Sequence, residues 1–149
     1  MKIGVIGGGA WGTALAQVCA SGGEGVRLWA READVVEAFS NRHENTVFLK
    51  GVPLSPLIEA TDDLALLADC DALLVVTPAQ HMRSVLAAAQ VGKRPLILCA
   101  KGIEAETQML MSEVAADACP EAPIAVLSGP TFAHEVAQGL PTAITLACE

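Results

Sequence analysis

Short apolar runs punctuate the chain, and the segments between them carry helical spacing. The runs fall at residues 2–6, 26–30, 57–60, 72–76, 96–100, 124–127 and 143–147, with 57–60 the weakest. They are nearly continuous in apolar character and do not alternate. Strands covered by helices on both faces of a parallel sheet read this way. The intervening segments predict helices. Ala10–Ser21 places Trp11, Leu15 and Val18 on one side and stops at Gly22-Gly23. Residues 32–41 open on acidic side chains, and 62–68 follow Thr61 as a cap. Further helices are predicted over 80–90 after Pro78, 106–118 before Pro120, and 131–138 after Gly129-Pro130. Strand and helix alternate along the chain, and crossovers of one hand then wrap helices over both sheet faces. The expected architecture is α/β: a doubly wound, mostly parallel sheet in three layers, one domain over residues 1–149. Residues 42–56 form the longest irregular stretch, a candidate for ligand or partner contact.

Composition narrows this picture. The chain of 149 residues is 52% hydrophobic and 17% charged, which supports a core and excludes a disordered chain. Aromatics are few (three Phe, two Trp, no Tyr), so Ala, Val, Leu and Ile carry the core. The net charge of −8 comes without a cluster of Lys and Arg, which argues against general nucleic-acid binding. It leaves room for a local basic site that holds one phosphate. The five cysteines, at 19, 70, 99, 119 and 148, include no CxxC pair. They read as buried reduced thiols in a reducing compartment, with no metal site. The opening MKIGVIGGGAWG reads as strand and turn, not as a signal peptide. No stretch reaches the ~18 apolar residues of a membrane span. The expectation is a cytoplasmic, soluble protein.

The first chemistry lies at Gly7-Gly8-Gly9-Ala10-Trp11-Gly12, a GxGxxG between a strand and a helix. That context makes it a dinucleotide turn. Gly7 permits the sharp turn, Gly9 lets backbone approach a pyrophosphate, and Gly12 lets the helix pack on the strand. Free N–H groups at the helix start then face the anion. At the end of the second strand an Asp or Glu would hold the ribose 2′-hydroxyl of NAD. Ala30 and Arg31 stand there, and a guanidinium suits a 2′-phosphate, so the reading favours NADPH over NADH. Glu32 is the competing acid one position on.

Three later segments end strands on the same side. Val76-Thr77-Pro78 closes the fourth. Cys99-Ala100-Lys101-Gly102-Ile103-Glu104 closes the fifth and aims a lysine at the crevice, where it can polarise a carbonyl or hold a phosphate. Ser128-Gly129-Pro130-Thr131-Phe132-Ala133 follows the sixth and suggests a second anion or cofactor contact at a helix start. His43, His81 and His134 read as surface or structural residues.

Taken with GGGAWGTALA at 7–16, VRLWAR at 26–31, Asn41 to Asn45, FLKGVP at 48–53, AKGIEAE at 100–106 and SGPTFAHEVAQGLPTAI at 128–144, these segments resemble the cytosolic and bacterial NAD(P)-dependent glycerol-3-phosphate dehydrogenases. The resemblance spans essentially the whole chain. It implies a Rossmann fold and reversible hydride transfer between a nicotinamide and dihydroxyacetone phosphate, giving sn-glycerol 3-phosphate for phospholipid synthesis. It implies cofactor contacts at Gly7, Gly9, Ala10, Trp11, Gly12, Arg31, Phe48, Lys101 and Ala133. It implies substrate contacts at Lys101, Gly129 and Thr131. Ala10 stands where many relatives carry Ser, which leaves only a backbone contact there. The family adds a helical second domain, with the lysine that moves the proton and the Arg and Asn that grip the phosphate. No catalytic residue is therefore assigned here. The expectation is an isolated domain that binds nucleotide with little or no turnover, and a homodimer for the full-length protein. The alternatives are a stand-alone dinucleotide-binding redox sensor, or another two-domain dehydrogenase of the 3-hydroxyacyl-CoA or 6-phosphogluconate type.

Overall fold

The computed structural model describes residues 1–148; Glu149, the last residue of the expected domain, lies outside them. One sheet contains β1 (Ile3–Ile6), β2 (Val26–Trp29), β3 (Ile58–Thr61), β4 (Ala72–Val75), β5 (Leu96–Leu98), β6 (Ile124–Ser128) and β7 (Thr145–Cys148). Their order is β3-β2-β1-β4-β5-β6-β7. β1 through β6 run parallel, and β7 pairs antiparallel with β6, with Ser128 opposite Thr145. The chain winds outward from β1 to β3, then crosses back and lays β4 on the other side of β1. That reversal opens a crevice at the carboxyl ends of β1 and β4, where sheets of this kind bind ligands.

Alternation along each strand supplies both faces. Val5 of β1 and Leu74 of β4 face one layer, while Ile6, Leu73 and Val75 face the other. The first layer holds α1 (Ala10–Ser21), α2 (Ala33–Arg42) and α5 (Ala133–Ala137). The second holds a 3-10 helix, Leu64–Asp69, with α3 (Met82–Ala88) and α4 (Met111–Ala118). The doubly covered sheet expected from the apolar runs is thus present. Leu28, Leu73 and Phe39 are essentially removed from water. Truncating any one of them to Ala costs roughly 2–5 kcal/mol.

Several helices differ from the expectation for local reasons. On α1 the buried face is small, made of Gly12, Thr13, Ala14, Leu15, Ala16 and Ala20, whereas Val18 is exposed and Trp11 half-buried. The helix expected over 62–68 is the 3-10 segment Leu64–Asp69. Its cap is Asp63, whose carboxylate accepts from the Ala65 N–H at 2.9 Å, and not Thr61. Residues 80–90 divide into a 3-10 turn, Ala79–His81, and α3. The helix expected from 106 starts only at Met111. Before it, Ile103 bridges Leu110, and Gln108 takes a left-handed φ of 59° that no helix accepts. The last helix shrinks to five residues, Ala133–Ala137. Of β6 only Leu127 is buried, and every residue of β7 is exposed.

All five cysteines are free. Cys70, Cys99 and Cys119 are buried, Cys19 is partly so, and Cys148 is exposed on the edge strand, against the general expectation of burial. Burial pushes up the pKa of Cys19, Cys70 and Cys119, and that of Cys99 to about 12. Among the described residues, no helix is long and apolar enough to cross a membrane.

Candidate functional site

The four glycines of the first turn have different jobs. Gly7 sits at φ 128°, and a Cβ there would meet the Val76 carbonyl at 2.9 Å, so the turn lies directly on the end of β4. A Cβ on Gly12 would lie 1.9 Å from the Gly7 oxygen, and one on Gly8 would lie 2.5 Å from Ala30 Cβ. These three positions seat α1 and β2 on the turn. Gly9 is different: a Cβ there meets nothing within 4 Å. Gly9 is also the cap residue of α1, with no side-chain cap and no acidic residue in the first helical turn. The N–H groups at the start of this twelve-residue helix thus meet neither a capping side chain nor an acid from the helix's own first turn. That suits a bound anion.

Two cavities open from this turn. The first, about 580 Å³, is walled by Gly7, Gly8, Gly9, Trp11, Trp29, Arg31, Glu32, Phe48 and the Val76-Thr77-Pro78 segment. The second, about 280 Å³, is walled by Lys101, Ser128, Gly129 and Thr131. Trp11 and Cys99 line both, so the cavities adjoin. The raised pKa of Cys99, set by burial and by Cys19 beside it, keeps that thiol protonated and unreactive. A hollow of about 700 Å³ along the exposed β6–β7 edge lies elsewhere and is lined largely by Ala, Pro, Ile and Val.

Each cavity has a loop as one wall, and each loop is tied down. Residues 43–54 are held by Asn45, which is fully buried. Its amide nitrogen donates to the Gly8 carbonyl and to Thr13 Oγ1, both at 2.8 Å. Its amide oxygen accepts from the Phe48 N–H at 3.0 Å. The Leu49 N–H donates to the Asn45 carbonyl, Gly51 N–H to Glu44, and Leu54 N–H to the His43 carbonyl. The stretch expected to be irregular is therefore a knit loop with Leu49, Val52 and Leu54 in the core. The loop after Lys101 is held by α3 and the turn before it. Gln80 donates to the Ile103 carbonyl at 2.8 Å and accepts from the Ala105 N–H at 2.9 Å. Arg83 grips the buried Glu104 carboxylate through Nε and Nη2 at 2.9 Å each. Arg83 also reaches Asp117, and Thr107 donates to Glu104. The guanidinium beside it, then the Thr107 hydroxyl, hold the Glu104 pKa below the usual carboxylate range.

The structure gathers most of the sequence-derived candidates. Gly7, Gly9, Trp11, Arg31 and Phe48 share the first cavity, and Lys101, Gly129 and Thr131 share the second. Arg31 and Glu32 stand together at the exposed rim of the first. Ala10, Gly12 and Ala133 are not on either wall. Ala133 opens α5, which packs against α1. A helix of five residues has little dipole to offer an anion, so a contact at the start of α5 would rest on its backbone and neighbouring side chains. Gly129 has a packing reason as well, since a Cβ there would meet the Ala143 carbonyl at 2.7 Å. His81 is exposed, as expected, and also lines the first cavity. Asn45, Gln80 and Arg83 escape sequence reasoning as site residues: a polar side chain aimed inward leaves no periodic trace.

The cradle fits a dinucleotide. Open space stands over Gly9, helix N–H groups lie behind it, and the Arg31 cation is at the far rim. Thr77 adds a buried hydroxyl with no partner among the described residues.

Comparison with known proteins agrees with this geometry. The family described as NAD-dependent glycerol-3-phosphate dehydrogenase N-terminus matches residues 2–149. The glycerol-3-phosphate dehydrogenase [NAD(P)+] of Parvibaculum lavamentivorans is 59% identical over 151 residues, covering 99% of this chain and 45% of the relative. That of Caulobacter vibrioides is 58% identical, with 99% and 46% covered. The chain thus spans somewhat under half the length of these curated relatives. The crystal structure of glycerol-3-phosphate dehydrogenase from Coxiella burnetii superposes with a TM-score of 0.89 at 34% identity, covering 97% of this chain and 46% of that one. A UDP-D-ManNAc dehydrogenase from Pyrococcus horikoshii, at 14% identity and a TM-score of 0.72, shares the fold alone. The chain belongs to the NAD-dependent glycerol-3-phosphate dehydrogenase family and corresponds to its N-terminal part.

Proposed function

We propose that this chain is the nicotinamide-nucleotide-binding domain of an enzyme that interconverts dihydroxyacetone phosphate and sn-glycerol 3-phosphate. The observation that carries this reading is the pair of adjoining cavities, one under the glycine turn and one beside Lys101, which share Trp11 and Cys99 as a common wall. The reduced nicotinamide supplies the hydride. The N–H groups at the start of α1 hold the pyrophosphate, with Gly9 leaving the approach open and Ala10 offering backbone only. Trp11 and Phe48 flank the cofactor, and Ala133 and Lys101 complete its contacts. Arg31 holds a 2′-phosphate, which favours NADPH; Glu32 on the same rim is the feature that would favour NADH. Lys101, Gly129 and Thr131 take the substrate, with the Lys101 ammonium polarising the carbonyl or pairing with the phosphate. The proton-transferring group is not assigned to this chain, which alone binds nucleotide without turnover. The parent protein is cytoplasmic, serves glycerophospholipid synthesis and acts as a homodimer. A stand-alone redox sensor is the lesser reading, because a sensor has no need of a lysine in a second cavity.

The test is calorimetric titration with NADPH and NADH, beside turnover of dihydroxyacetone phosphate by the full-length protein. Saturable NADPH binding with the tighter Kd, plus turnover, supports the whole reading. Tighter NADH binding reverses the Arg31 assignment. Binding without turnover by the full-length protein sinks the substrate assignment.

A further inference from the structure

Among the described residues, the one fully buried amide side chain in the cleft region belongs to Asn45, and it touches both walls of the first cavity. Its nitrogen spends both hydrogens on α1 and its turn, at Gly8 O and Thr13 Oγ1. Its oxygen takes the N–H of Phe48, an aromatic residue that lines the same cavity as the glycine turn. Thr13 is itself fully buried, so neither partner exchanges easily with water. Phe48 is 43% exposed and has no core of its own. Its backbone is placed by the Asn45 bond and by the closing of the turn from Asn45 to Leu49. An Asp in place of Asn45 would present a carboxylate to the Gly8 carbonyl, and an Ala would leave Gly8 O and Phe48 N–H unanswered.

From this geometry we infer that Asn45 is a positioning residue that locks the Phe48 wall to the glycine turn at the spacing a bound nicotinamide nucleotide requires. The inference rests on the nucleotide-binding reading above. Asn45 does not touch the ligand; it acts through Phe48 and the Gly8 carbonyl. Preorganising a ligand wall lowers the ordering cost of binding, so the effect belongs in cofactor affinity and not in the handling of the second substrate.

The experiment uses the full-length enzyme, with NADPH Kd by calorimetry and KM for dihydroxyacetone phosphate at saturating NADPH. Asn45→Ala is expected to raise the NADPH Kd roughly tenfold, while KM for dihydroxyacetone phosphate stays within about twofold. Asn45→Asp should lose at least as much. Phe48→Ala should weaken NADPH on its own, and the double variant should be no worse than the poorer single one, because both changes remove the same wall. Unchanged affinity in Asn45→Ala overturns the inference, as do losses that multiply in the double variant or a Phe48→Ala with no effect. Should Asn45→Ala fail to fold, Thr13→Val removes one partner at constant shape. A Kd raised about threefold there supports the inference, and an unchanged Kd overturns it. A wild-type enzyme that binds neither nucleotide overturns the nucleotide reading itself; one that binds well alongside an equally competent Asn45→Ala overturns only the role of Asn45.

Discussion

The two loops that wall the cleft solve one problem with different chemistry. The loop from 43 to 54 is anchored by a neutral amide sealed from solvent. The loop from 101 to 110 is anchored by Gln80 and by an ion pair whose arginine side chain is 33% exposed. A buried neutral hydrogen bond is indifferent to salt and to pH across the working range, and it is strengthened by its dry surroundings. An ion pair reached by water is screened and depends on the carboxylate staying ionised. The cofactor wall is therefore built to be constant and the lysine-bearing wall to be conditional.

The comparison breaks most visibly at Lys101. In the full-length enzyme Lys101→Ala is expected to lower turnover by roughly 10²–10³-fold, measured by steady-state kinetics, with Asn45 untouched. Near-normal rates would make the second loop an ordinary surface turn. Next in size is Arg31→Asp, which removes a charge-assisted pair and should cost NADPH about 10- to 100-fold in Kd while NADH changes little. Equal losses for both nucleotides would remove the 2′-phosphate role.

Smaller effects sharpen the contrast between anchors. The Glu104 pKa is lowered on folding, chiefly by Arg83. Its stabilising contribution is therefore fully present above the ordinary carboxylate range and is lost as pH falls through the lowered value. Melting curves of wild type and Glu104→Gln should differ at neutral pH and converge in acid, whereas wild type and Asn45→Ala should differ by the same amount throughout. Curves for Glu104→Gln that stay parallel would remove the ionic role. The smallest effect concerns salt. Hydrogen exchange at the Ala105 N–H, held by Gln80 beside the ion pair, should quicken a fewfold in high salt, and that at Phe48 should not. Equal responses would mean that the two loops are gripped alike.

These anchors also mark where sequence reading stops. The strands are legible because doubly covered β1, β4 and β5 must be apolar on both faces, and Val5 beside Ile6 states that outright. The glycine turn is legible because its conformational demand falls on residue type: Gly7 has a positive φ and Gly12 no room for a Cβ. Lys101, Gly129 and Thr131 are found by their place after strand ends. Helix starts fail where a tertiary bond overrules local propensity. Residues 106–110 carry good helix formers, but Glu104 is turned inward to Arg83, and the chain bends through Gln108 before α4 can begin. Asn45 and Arg83 each act on residues more than twenty positions away in the chain, at Gly8 and Glu104, and no local window contains both ends.

Both tryptophans of this tyrosine-free chain stand on the wall of the first cavity. Trp11 rides on the first turn of α1, and Trp29 ends β2 with its indole N–H on the Asp62 carbonyl at 3.0 Å. The near-ultraviolet emission of the domain thus originates almost entirely beside its candidate ligand. A reduced nicotinamide absorbs in the band where indoles emit, so its arrival would both dim that light and re-emit part of it. The molecule carries its own optical gauge of occupancy, and Trp11, shared with the second cavity, would sense events there as well.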